Sequence, residues 1–225
     1  MAPSQGKTRQ KSGSLREKSE TIGHLPPRLI IGISGASGVI YGIRLLKMLQ
    51  DSMIETHLVM SRAAQVTLAH ETNHKLRDIK ELADVCYDSD DMAAAISSGS
   101  FITLGMIVAP CSVKTLAEIA TGVTTTLISR AADVVLKERR RLVLMVRETP
   151  LHAGHLKNML AVTEMGGIIS PPVPAMYARP QTIDEMIDHS LGRALDLFGI
   201  ASDHVHRWGE RDAQQPRQSR RPSDR

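Results

Sequence analysis

From Leu29 to Ile200 short apolar runs alternate with longer stretches in which apolar residues recur at helical spacing, a pattern that predicts a parallel sheet covered by helices on both faces. The first run, Leu29-Ile30-Ile31-Gly32-Ile33-Ser34, is rich in β-branched residues and continuous rather than alternating, as a strand buried on both sides requires. A glycine turn ends it. Over 39–50, Ile40, Ile43, Leu46 and Leu49 fall at helical spacing, so strand, glycine turn and helix follow in that order. Further strands are expected at 54–60, 105–109 and 142–146, and further helices over 63–74, 113–120, 125–139, 154–165 and 182–198. No internal repeat and no interior linker divides this stretch, so the expected fold class is α/β, a doubly wound parallel sheet in a single domain over 29–200. The flanks, 1–28 and 201–225, are rich in Ser, Gln, Arg and Pro, lack hydrophobic periodicity and read as disordered, the second of them mostly so.

Charge changes the picture only once it is divided along the chain. The net +4 arises from 28 Lys and Arg against 24 Asp and Glu, but the first 28 residues hold six basic and two acidic side chains, and the last 25 hold six and four. The body is therefore near neutral, at −2. With one Trp, two Phe and three Tyr in the whole chain, it has neither the electrostatic footprint nor the rings that nucleic-acid binding needs. No apolar run approaches the roughly 18 residues that would cross a bilayer, and the first 20 residues are too polar for a secretory signal. Two cysteines, Cys86 and Cys111, are too few for a disulfide framework. A cytoplasmic location is the expectation; a mitochondrial presequence is the alternative, against which Glu17, Glu20 and the missing amphipathic stripe count.

Two segments repeat one device. Gly32-Ile33-Ser34-Gly35-Ala36-Ser37-Gly38 lies where a strand feeds a helix, so backbone N–H groups and the positive helix end converge on the turn, a geometry that favours phosphate. Its spacing departs from the G-x-G-x-x-G dinucleotide fingerprint, and Ser61-Arg62 stands after the second strand where that fingerprint wants an acid, so a mononucleotide is preferred. The bland reading is a tight turn that serves packing. In Pro110-Cys111-Ser112-Val113-Lys114-Thr115 another apolar run stops and a hydroxyl opens a helix. Together the two starts would form one crevice at strand carboxyl ends, where open parallel sheets bind ligands. Taken alone, Ser112 is an N-cap worth about 1 kcal/mol, and Cys111, with no histidine near it in sequence, is a packed thiol.

Other motifs are weighed in the same way. His70-Glu71-Thr72-Asn73-His74 matches the H-E-x-x-H zinc pattern, but no third ligand is placed for it, so no metal is expected. Arg130 and Lys137 are seven apart on one predicted helix face, which can thus present two phosphate-binding cations, while Arg139, Arg140 and Arg141 read as cations complementing a helix end. Arg147-Glu148 follows the 142–146 strand, putting a cation and a carboxylate at the edge of the same crevice. Pro171-Pro172-Val173-Pro174 stiffens the approach to Tyr177, and Arg193 sits within the last helix; singly, both would pass for surface residues.

Taken in order, G-I-S-G-A-S-G, A-P-C-S-V-K-T-L, S-R-A-A-D-V-V-L-K-E-R-R, V-R-E-T-P-L, H-L-K-N-M-L and P-P-V-P-A-M-Y resemble the UbiX-type flavin prenyltransferases, a family that includes the small B subunits associated with phenolic-acid decarboxylases. The resemblance runs from about Arg28 to Gly199, and Arg207-Trp208-Gly209-Glu210 is similar to the family's C-terminal segment. It implies a flavodoxin-like (Rossmann-like) subunit in a homo-oligomer, a dodecamer, with sites at subunit interfaces. It also implies transfer of the dimethylallyl group of dimethylallyl phosphate to N5 and C6 of reduced FMN without metal, yielding the prenylated cofactor of a UbiD-type decarboxylase. By motif, Gly35, Ala36, Ser37, Ser61, Ser112, Val113, Lys114 and Thr115 would hold FMN; Arg147 would lie by both flavin and prenyl phosphate; and Lys137, Tyr177 and Arg193 would grip the leaving phosphate, some from a neighbouring subunit. Glu148 would be the acid/base, with Ser37 and Glu71 assisting proton movements and Arg130 a lesser contributor. Where some members carry Trp before the Met of the middle segment this chain has Asp91-Met92, which alters the wall facing a prenyl cation. An FMN-dependent decarboxylase of the related cysteine-decarboxylase type and a non-catalytic flavin-delivery subunit fit the paired helix starts too.

Overall fold

The computed structural model describes residues 26–207. Both sequence-assigned tails lie largely outside these residues, as do Trp208, Gly209 and Glu210 of the C-terminal motif. In chain order the elements are β1 (Arg28–Ile33), α1 (Ile40–Leu49), β2 (Glu55–Met60), α2 (Arg62–Glu71), α3 (Leu76–Lys80), β3 (Val85–Tyr87), β4 (Gly105–Cys111), α4 (Val113–Thr121), α5 (Leu127–Lys137), β5 (Arg141–Val146), α6 (Ala153–Glu164), β6 (Ile168–Ile169) and α7 (Ile183–Asp196), with short 3-10 turns at Ala95–Ser97 and Met176–Ala178. The strands form one sheet in the order β3-β2-β1-β4-β5-β6, every pairing parallel. Without the three-residue edge strand β3, this is the flavodoxin-like doubly wound order, with its switch point between β1 and β4.

Alternation along the strands divides the core into two layers. Leu29, Ile31 and Ile33 of β1 join Leu58, Ile107, Val143 and Met145 under α1, α2 and α7. Ile30 joins Met106, Val108, Leu142 and Leu144 under α4 and α5, with Val162 of α6. Because both faces are covered, the apolar runs are continuous, which is why the central strands stand where the sequence places them.

The differences from the sequence reading have local causes. The helix expected over 63–74 stops at Glu71: the Thr72 N–H and hydroxyl both donate to the Leu68 carbonyl and close the last turn. The two edge strands, β3 and β6, escape periodicity because they have three and two residues and are only partly buried. The strand expected over 105–109 runs on to Cys111 through a register shift between Val108 and Cys111. The helix expected over 125–139 ends at Lys137, and Arg139 takes a left-handed conformation, φ 57°, that turns the chain into β5. Residues 201–207, assigned to the tail, lie against α7: Val205 faces Gly192, and Arg207 donates to Asp196 at 2.7 Å.

Helix α1 lies directly on β1 and β4. A Cβ on Gly42 would come within 2.5 Å of the Ile33 side chain and 2.6 Å of the Ala109 carbonyl oxygen. Arg44 then ties α1 to α7, donating twice to Asp188 at 2.5 Å and once to Asp184 at 2.7 Å. Replacing Gly42 by Ala gains up to about 1 kcal/mol of helix propensity, but a backbone oxygen cannot yield as a side-chain tip can. Overpacking at about 1–3 kcal/mol should therefore win, and the Gly42→Ala unfolding midpoint should fall by several degrees. An unchanged or raised midpoint would mean that α1 can lift from the sheet.

Candidate active site

The crevice begins at the switch point with a buried hydroxyl. Ser34, at the end of β1, donates from Oγ to the Pro110 carbonyl at 2.9 Å and accepts the Ser112 N–H at 2.7 Å, so the loops after β1 and β4 are joined through one side chain. The Ser61 N–H donates to the Ile33 carbonyl at 3.0 Å, and the Arg147 N–H donates to the Cys111 carbonyl at 3.0 Å, bringing in the ends of β2 and β5. Four carboxyl ends thus meet in one place.

Three of the helices that start at the crevice carry a hydroxyl cap. Ser61 accepts the Ala64 N–H at 3.0 Å, Ser112 the Thr115 N–H at 3.3 Å, and Thr126 the Ser129 N–H at 3.4 Å. A cap of this kind satisfies the third amide of its turn, which leaves the first two, at the positive end of the helix dipole, for a ligand. The ends surround a cavity of about 570 Å³ lined by Gly35, Ala36, Ser37, Ser61, Ser112, Val113, Lys114, Thr115, Arg147 and Glu148, which are all the residues assigned to FMN plus the expected acid/base. Its wall also contains Arg62, Ala63, Ser89, Asp90 and Thr126. Of these, Arg62 forms an ion pair with Asp90 at the rim, and Ser89 donates to Asp90 at 3.0 Å. Nothing in the acidic 88–91 stretch marks Ser89 or Asp90 by spacing. Thr126, by contrast, is legible as the start of a helix.

Glu71 is not in the cavity wall. It stands behind the glycine turn, where one carboxylate oxygen accepts the Gly38 N–H at 2.8 Å and the Val39 N–H at 3.1 Å. Partial burial works to raise its pKa, but hydrogen bonds from the Ser37 hydroxyl and these two amides, with the Arg147 charge, hold it below the ordinary value. The Tyr41 hydroxyl goes the other way, raised by burial against the opposing pull of Arg147. Glu148 accepts the N–H of Thr149 at 3.0 Å, and the Lys114 ammonium donates to Glu118 at 2.5 Å.

The remaining assigned residues are not in this crevice within one chain. Tyr177 and Arg193 line a separate cleft of about 180 Å³ with Met145, Ser170, His189 and Ser190, and Arg193 donates to Asp196 at 2.7 Å. Lys137 is at the far end of α5, which starts at the crevice with Thr126; at about 1.5 Å per residue its 11 residues put Lys137 about 16 Å away. There it pairs with Glu138 at 2.5 Å. Arg130, in the first turn of α5, is closer but pairs with Asp133 at 2.8 Å. The zinc pattern dissolves, because α2 ends at Glu71 and leaves His74 off the helix, and among the described residues no group of three or more ligands is gathered. Cys111 is fully buried and burial pushes its thiol far up, so it is a packing residue. Among the described residues no helix is long and apolar enough to cross a membrane.

A model of the flavoprotein family matches residues 17–194. The flavin prenyltransferase UbiX of Escherichia coli strain K12 is 59% identical over 184 residues, covering 80% of this chain and 97% of that protein. The crystal structure of AnUbiX (PadA1) in complex with FMN and dimethylallyl pyrophosphate is 50% identical, with a TM-score of 0.80, over 82% of this chain and 98% of that one. A dodecameric FMN-dependent UbiX-like decarboxylase from Escherichia coli O157:H7 is likewise 50% identical, with a TM-score of 0.79, over 80% and 98%.

Because its carboxyl is depressed in the folded state, Glu71 stabilises the glycine turn fully above about pH 4.5 and loses that contribution as pH falls through its lower folded-state value. Glu71→Gln keeps an oxygen acceptor without the charge. In acid unfolding the stability gap between the natural protein and the variant should therefore close below about pH 4.5. A gap that stays constant through that range would show that the charge does not hold the turn.

Proposed function

Because the chain belongs to the flavoprotein family and, within it, to the UbiX-type flavin prenyltransferases, we propose that it joins the dimethylallyl group of dimethylallyl phosphate to N5 and C6 of reduced FMN. The product is the prenylated flavin used by a UbiD-type decarboxylase. The observation that carries this reading is the crevice at the switch point. It is lined by every residue the motifs assign to the flavin, and its volume falls within the roughly 300–1,000 Å³ of small-molecule sites. Capped helix starts on three sides suit a phosphate, and the wall of small residues along the glycine turn leaves room for a planar ring system. No metal is called for.

Bound there, reduced FMN supplies the nucleophilic nitrogen and carbon. The amides after Ser61 and Ser112 and the backbone of Gly35, Ala36 and Ser37 hold its phosphate and flanks. Arg147, at the end of β5, serves both ligands. Breaking the allylic C–O bond places negative charge on the departing phosphate, so the cations of Lys137 and Arg193 act as its donors, while the neutral Tyr177 hydroxyl binds the phosphate alike before and during the break. In one chain these three stand apart from the crevice, so we assign them to neighbouring subunits of a homo-oligomer, a dodecamer like that of the Escherichia coli O157:H7 relative. Glu148 moves a proton to or from the leaving group and the ring carbon. Glu71, anionic at neutral pH, holds the Ser37 hydroxyl and so sets where its proton goes. A cytoplasmic setting suits two thiols that are both unpaired. Residues 29–200 make up the catalytic unit, against whose last helix residues 201–207 pack.

Anaerobic incubation of the protein alone with reduced FMN and dimethylallyl phosphate should give a flavin heavier by one five-carbon unit in mass spectra. Recovery of unmodified FMN would reject the assignment, and turnover without any partner rules out a mere delivery subunit. Lys137→Ala and Arg193→Ala should each slow prenylation by about a hundredfold, the scale of losing one transition-state donor, while FMN still binds. Unchanged rates in both variants would count against the assignment of these two cations to the leaving phosphate.

A further inference from the structure

Tyr177 rides on the exposed turn Met176–Ala178 at the end of a proline-rich segment, and its side chain is about half exposed. A hydroxyl on such a perch needs a fixed neighbour before it can hold an anion in one place. The structure supplies one. His189, buried to 5% exposure, meets the Tyr177 ring edge-on at 5.6 Å between centroids and 82° between planes, with Nε2 at 3.4 Å from the hydroxyl. The same Nε2 lies 3.4 Å from the His206 carbonyl oxygen.

A carbonyl can only accept, so the tautomer that serves His206 carries its proton on Nε2. That N–H is then shared between the carbonyl and the tyrosine oxygen, and the hydroxyl proton points away from the imidazole. His189 is one helical turn before Arg193, so both face the cleft that Tyr177 also lines. Its backbone is anchored next door, where Asp188 takes two hydrogen bonds from Arg44. We infer that His189 is a positioning residue: it fixes the Tyr177 hydroxyl so that this group and the Arg193 guanidinium address one anionic oxygen cluster, the phosphate of the prenyl donor. The inference rests on the reading that Tyr177 binds that phosphate. Hydrogen bonding of this kind acts equally on bound substrate and transition state, so its loss should raise KM for the donor and leave kcat nearly unchanged.

The test is steady-state prenylation with dimethylallyl phosphate by His189→Leu, His189→Asn, His189→Gln and Tyr177→Phe, together with FMN affinity. Leu keeps the volume without a donor, and Asn keeps polarity but is too short to reach. Either serves if the other fails to fold. Gln can place an amide N–H near the position of Nε2. Tyr177→Phe and the Leu or Asn variant should each raise KM by about tenfold, the scale of one net hydrogen bond, with FMN affinity unchanged. Gln should restore most of the loss, and combining Leu or Asn with Tyr177→Phe should add little further. If Tyr177→Phe raises KM while the Leu and Asn variants do not, the inference about His189 is wrong and the reading of Tyr177 stands. If Tyr177→Phe itself leaves KM unchanged, that reading fails and the inference with it. Fully additive losses without rescue by Gln would overturn the inference by showing His189 to be a packing residue only.

Discussion

One buried hydroxyl holds the crevice together. Parallel strands leave their carboxyl ends side by side, but the loops that follow β1 and β4 run to opposite faces of the sheet and would drift apart unless something spanned them. Ser34 spans them by donating to Pro110 and accepting from Ser112 at 1% exposure. An unmet amide or carbonyl at that depth costs about 1–3 kcal/mol, so the two loops are held in one relative position rather than merely near each other. The glycine turn, the Ser61 and Ser112 caps and the Arg147 amide are all hung from strand ends aligned by this junction.

A second constraint is electrostatic. Helix starts attract anions without preference, and a carboxylate of the protein itself competes for them. Glu71 is directed to the back of the glycine turn, where it takes the amides of Gly38 and Val39 and leaves those lining the cavity alone. Arg147 offsets its charge, and the Arg62–Asp90 pair closes the rim without adding net charge. The result is a positively biased pocket in a body whose overall charge is near zero.

The sequence made the central strands and the loops of the crevice readable because each depends on local chemistry: continuous β-branched runs, then glycine or a hydroxyl at a helix start. The residues that the motifs assign to FMN line one cavity in the structure. Asp90 and Ser89 were hidden because their place in the wall comes from the path of an irregular connection, not from any period. The end of α2 was hidden for a similar reason, since it turns on Thr72 folding its hydroxyl back onto Leu68. Lys137 was readable as a phosphate-binding cation on a helix face, but its part in gripping the leaving phosphate came only from the family motif. Periodicity gives its helix face, but not that the helix carries it away from the crevice to the amino ends of the strands.

That distance has a genetic meaning. On the proposed reading each pocket is a joint holding, with its flavin cradle inherited from one polypeptide and its grip on the leaving group lent by others. A lesion at Lys137 would then injure a neighbour and spare the chain that bears it, whereas a lesion at Arg147 would stay at home. Two defective alleles of these opposite kinds, expressed together, could rebuild a share of sound pockets that neither possesses alone.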